Sequence, residues 1–78
     1  MRIKSPVKEK ELAALAKRFR EASGQSKVDM ARKLHVSAPS VFNAEERPEL
    51  SLTGLRIRII EACSPFKIIG PVFHLRKK

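Results

Sequence analysis

The chain has no tryptophan and no tyrosine, and four phenylalanines supply its aromatic content. Single-stranded bases would find few rings to stack on, which argues against an RNA-binding module. Cysteine is nearly absent as well. Cys63 stands alone, so no internal disulfide can form, and a reducing cytoplasm is the expected setting. Only three glycines occur, and none belongs to a phosphate-cradling loop motif. His35, His74 and Cys63 are the only candidate metal ligands or nucleophile partners besides carboxylates. Their spacing matches no zinc or Cys–His pattern. No metal, no cofactor and no enzymatic activity is expected. No apolar run approaches the roughly 20 residues that a membrane-spanning helix needs. Met1 to Pro6 lead into no apolar segment, so no secretory signal is expected either.

Acidic side chains are also scarce, and what is present instead is positive charge. Seventeen Lys and Arg face eight Asp and Glu, a net charge of +9 at pH 7. A polyanion is the natural partner. Double-stranded DNA ranks first, because neutralising phosphates releases condensed counterions. The charge is uneven. Residues 51–78 carry six cations against one acid, whereas residues 21–50 carry four against five. Size adds a second expectation. A chain of 78 residues makes one domain with a marginal core. A second copy of the chain often completes such a core, so a homodimer is expected.

Local patterns predict a mainly helical chain. Ser5-Pro6 is suited to open the first helix. Leu12, Leu15, Ala16 and Phe19 then recur at helical spacing, and Gly24 ends the run. Ser26 caps a second short helix, with Asp29 three residues on as a weak capping box. Met30, Ala31 and Leu34 form its apolar face. Ser37 caps a third helix, with Pro39 in its first turn, where the missing N–H is harmless. Val41 and Ala44 are its inward positions, and Pro48 blocks continuation. Ser51 opens a fourth helix with Leu52, Leu55, Ile59 and Cys63 on one side. Ile57 and Ile60 widen that apolar surface enough for a second subunit to cover it. The tail holds two β-prone runs, Phe66 to Ile69 and Val72 to Leu75, around Gly70-Pro71. Gly-Pro is a poor hairpin turn. The favoured reading is therefore a strand that pairs with its copy across a dimer axis, and a local hairpin is the other.

The informative stretch runs from Ser26 to Glu45. Two short capped helices joined by a brief turn project the second helix so that its first residues can enter a major groove. Gly24, Ser26, Met30-Ala31, Lys33-Leu34, Val36-Ser37, Ser40-Val41 and Glu45 stand where the Cro/phage-repressor helix-turn-helix family has its pattern residues. On these residues the chain resembles that family, also called the xenobiotic-response-element family, over about residues 12–63. It departs at Lys27, where Gln is usual, and at His35, where Gly is frequent.

The resemblance implies an all-α, lambda-repressor-like domain of four to five helices with a short C-terminal β-strand or hairpin. Residues 1–5 would be a basic arm, 6–63 the helix-turn-helix domain and 64–78 a dimerising tail. It implies a dimeric, sequence-specific transcriptional repressor whose recognition helix, residues 37–46, lies in the major groove. It also implies an ion pair between Arg20 and Glu45. Antitoxins of toxin–antitoxin pairs resemble the chain too, which makes a toxin protein the alternative partner.

Candidate DNA contacts follow from side-chain chemistry. Lys27 and Ser26, at a helix start, suit a phosphate. Ser37 caps the third helix, with a phosphate contact as a second role, and Ser40 is a further candidate DNA contact. Ala38 and Pro39 offer only apolar contact, such as with a thymine methyl. Asn43 can pair with adenine. Phe42 either packs on the following loop, the preferred reading, or touches bases. Arg47 suits a phosphate. Ile57, Ile60, Phe66, Ile68, Ile69, Val72, Phe73 and Leu75 are the expected dimer residues.

Overall fold

Four α-helices and an antiparallel two-stranded hairpin make up the structure, a computed structural model that describes residues 8–69 and 73–78. The helices are α1 (Leu12–Ala22), α2 (Lys27–Leu34), α3 (Ala38–Glu46) and α4 (Thr53–Cys63), and the strands are β1 (Phe66–Ile69) and β2 (His74–Lys77). Ser5 and Pro6, the expected start of the first helix, lie outside the described residues. Lys8 is extended, and a 3-10 turn at Glu9–Glu11 leads into α1. Gly24, just past α1, takes a left-handed φ of 79°, which a glycine adopts without strain.

α2 starts as the sequence predicts. The Ser26 hydroxyl accepts the N–H of Asp29, and the Asp29 carboxylate accepts the N–H of Ser26, closing the box. At the other end, Val36 N–H donates to the Ala31 carbonyl and His35 N–H to the Arg32 carbonyl. This is the Schellman pair, and it forces His35 to a φ of 59°. The helix therefore stops where a glycine is frequent, with a histidine held in the left-handed region. The turn that follows delivers Ser37, whose hydroxyl accepts the Ser40 N–H and caps α3.

The fourth helix departs from expectation at its start. Ser51 does not cap it. α4 begins at Thr53, and Leu52 at its N-cap makes no side-chain cap bond. The Thr53 hydroxyl instead donates to the Glu9 carboxylate. α4 also buries a charge. Arg56 is 2% exposed and lies on the same face as Leu52, Leu55 and Ile59. Its guanidinium donates to the Ala44 carbonyl at 2.9 Å and the Arg47 carbonyl at 2.8 Å, the open acceptors at the end of α3. Two residues on, Arg58 donates to the Leu34 carbonyl at the end of α2. One helix thus satisfies the last carbonyls of two others, where a cation also meets the negative end of each dipole.

The core joins Leu12, Leu15, Ala16 and Phe19 of α1 to Met30, Ala31, Val41, Ala44, Ile59 and Ile60. The hairpin closes one side, and the Phe66 ring lies 5.9 Å from that of Phe19. Strand register pairs Phe66 with Lys77, Lys67 with Arg76, Ile68 with Leu75 and Ile69 with His74. The tail is therefore a local hairpin, and the strand expected to pair across a dimer axis pairs within its own chain. The Ile68 N–H also donates to Glu61 of α4 at 2.9 Å, which covers part of the β1 edge.

Several of the residues expected at a dimer seam are used within the domain. Ile60 is fully buried in the domain's own core, and Ile57, Phe66, Ile68, Phe73 and Leu75 pack against that core. Ile69 is half-buried, and Val72 lies outside the described residues. Among the described residues, no helix is long and apolar enough to cross a membrane.

Candidate nucleic-acid interface

α2, the turn and α3 form a bracket whose inner side is locked and whose outer side is open. The lock is Arg20 on Glu45. The Arg20 Nε donates to one carboxylate oxygen at 2.6 Å and Nη2 to the other at 3.0 Å, a bidentate pair. Both side chains are almost wholly buried. Arg20 Nη1 donates to the Gln25 carbonyl at 2.8 Å, so the same guanidinium ties α1 to the loop before α2. Hydrogen bonding to Glu45 raises the Arg20 pKa further above its ordinary value. Val41 and Ala44, also fully buried, complete the inner face of α3.

The outer face presents Pro39 and Phe42 to solvent, with Ala38, Ser40 and Asn43 half-buried beside them. Ala38 packs against the core, which limits the apolar contact it can offer. The Ser37 and Ser40 hydroxyls lie 2.7 Å apart and bond one another. Phe42 is 48% exposed, so the preferred expectation that it packs on the following loop is not met. Its partner is Lys27, whose ammonium sits 5.4 Å from the ring centre, within cation–π range. Lys27 also reaches Glu46 at 3.6 Å, and Lys17 binds the same carboxylate at 2.7 Å. The Lys17 hydrogen bond and charge hold the Glu46 carboxyl below its usual range.

Lys27 and Phe42 therefore form one contact spanning α2 and α3. The sequence signal was available only in part, because it identified each residue but not their meeting. Among the described residues, Val28, next to Lys27, is the other large exposed apolar side chain, at 53%. At the start of α2 the Asp29 carboxylate sits on the Ser26 N–H and competes with any anion there. Arg47 is exposed and paired to Glu49 at 2.5 Å. Surface pairs of this kind contribute little, so a phosphate can replace the carboxylate.

α3 itself carries Glu45 and Glu46 and no cation. Any attraction to phosphate at this face must come from Lys27 and Arg47 on its flanks. Sequence reasoning missed Arg56 and Arg58, which orient the bracket from behind. The signal for Arg56 was its place on the apolar stripe of α4. Cys63 is half-buried, and burial raises its thiol pKa. Among the described residues, no three His, Cys, Asp or Glu side chains gather to hold a metal ion. No protein-family model, curated protein or solved structure matches the chain.

Proposed function

We propose that the chain is a sequence-specific DNA-binding transcriptional regulator, a dimeric repressor in which α3 enters the major groove. One observation carries the reading: α3 is buried and ion-locked on one side, while Pro39, Phe42 and its capped first turn stand open on the other. A rigid helix aimed outward by a short turn suits groove entry. Lys27 and Arg47 would contact phosphates on either side, and Asn43 would read a base edge. Phe42 and Pro39 would make apolar contact with thymine methyls or sugars. With so few hydrogen-bonding side chains, much of the selectivity would come from DNA shape.

Selection of bound sites from random duplex DNA tests this proposal. The expected result is an enriched near-palindrome with half-sites about 10 bp apart, or a multiple of that. Gel-shift titration at two salt concentrations should show steep weakening with salt. No enriched sequence and no duplex binding at low salt would end the proposal.

A further inference from the structure

Part of the chain's positive excess sits on the hairpin, whereas α3 carries none of it. From Ser64 to Lys78 the sequence holds four cations, Lys67, Arg76, Lys77 and Lys78, and no acid. Lys78 is used internally, since its ammonium donates to the Glu61 and Ser64 carbonyls at the end of α4. Lys67, Arg76 and Lys77 are exposed, and among the described residues none of them forms an ion pair. Strand register sets Lys67 directly opposite Arg76. Residues opposite one another in an antiparallel pair share a face, with Cβ atoms about 5 Å apart. The next pair, Ile68 and Leu75, points the other way and packs on the core. Lys67 and Arg76 therefore both project outward. Like charges placed so cost stability, and a bound anion removes that cost.

We infer that the outer face of the hairpin, built on Lys67 and Arg76, is a second phosphate-binding surface that grips the backbone of duplex nucleic acid without reading its sequence. A second copy of the chain would bring the same cations face to face, so the occupant is an anion. The phosphate backbone of a duplex is a repeating one whose neutralisation releases counterions. This surface supplies the sequence-independent affinity that α3, with no cation of its own, lacks. It stands whether or not α3 enters a groove.

The test is fluorescence anisotropy of the full chain on a random-sequence duplex across a salt series. Each neutralised phosphate adds about 0.9 to the slope of log K against log salt. The double variant Lys67→Gln/Arg76→Gln should flatten that slope by roughly 2. An unchanged slope overturns the inference. Lys67→Glu controls for folding, because its carboxylate faces Arg76. The melting midpoint should hold or rise while duplex affinity falls several-fold, and affinity lost only together with the midpoint also overturns the inference. Vesicles of phosphatidylserine in phosphatidylcholine form a further arm. Hairpin-dependent vesicle binding with an unaltered duplex slope assigns the face to a membrane and overturns it too. Phe42→Ala and Asn43→Ala separate the two readings. They should abolish sequence preference and leave the salt slope intact. A chain with no sequence preference at all fails the α3 reading, and the hairpin slope still decides this one.

Discussion

α3 and the hairpin both pack against α1, through adjacent residues: Arg20 reaches Glu45 on α3, and Phe19 meets Phe66 on β1. Their charges are settled in opposite ways. Around α3 nearly every charge has an internal partner. Glu45 holds Arg20, Glu46 holds Lys17 and Lys27, and Arg56 is spent on backbone carbonyls. On the hairpin, Lys67 and Arg76 oppose one another, and no acid stands between Ser64 and Lys78. Paired and buried charges fix where a helix points. Unpaired and exposed ones are free to act on a partner. Paired charges thus orient α3, while exposed, unpaired cations stand on the hairpin of the same small domain.

The sharpest way to break this contrast is Arg20→Ala. It strands the buried Glu45 carboxylate and should cost about 3–5 kcal/mol, lowering the melting midpoint by roughly 12 °C or more. A shift of a degree or so in a thermal melt would show that the pair does not hold α3. Arg56→Met comes next. It keeps an apolar stem but leaves the Ala44 and Arg47 carbonyls without their donor, at a cost of about 2–3 kcal/mol by urea denaturation. Lys67→Ala on the hairpin should change stability by no more than about 0.5 kcal/mol in the same measurement. A loss there as large as that at Arg56 would erase the distinction between the two regions.

His35→Gly sharpens the account of how α3 is aimed. The histidine pays a left-handed backbone cost that glycine avoids, so the variant should gain up to about 1 kcal/mol in urea unfolding, and a clear loss would show that the imidazole does something else. The smallest effect concerns acid. Bonds from the Ser26 hydroxyl and N–H hold the Asp29 carboxyl below its usual range. A lowered folded-state pKa contributes stability above the unfolded value of ~3.9, and that contribution fades as pH falls through the folded value. Melting curves between ~pH 5 and 2 should therefore decline less steeply for Asp29→Ala than for the parent chain. Parallel declines would remove Asp29 from the cap.

Much of the helical plan is legible in particular residues. Ser26, Ser37 and Gly24 mark helix boundaries, because caps depend on groups only a few residues away. Leu12, Leu15, Ala16, Phe19, Val41 and Ala44 announce the buried faces by spacing alone. The Arg20–Glu45 pair was reachable only through the family resemblance, since 25 positions separate its members. Arg56 was passed over because an arginine on an apolar stripe reads as an interruption until the carbonyls it serves are known. The hairpin was judged on its Gly-Pro turn, a local signal outweighed by packing of Phe66, Ile68 and Leu75 on the core. Phe42 is expected against the following loop, whereas its partner, Lys27, comes from the preceding helix.

By itself the sequence determined the run of short helices, the boundaries of α2 and the start of α3, the faces they bury and the surplus of positive charge, since each follows from interactions within one or two turns of chain or from composition. Only the tertiary structure decided which cations are consumed internally and which remain outside. It also decided that the tail folds on its own core rather than waiting for a partner. Those outcomes rest on contacts between segments 10 to 50 residues apart, whose geometry exists only once the helices have packed.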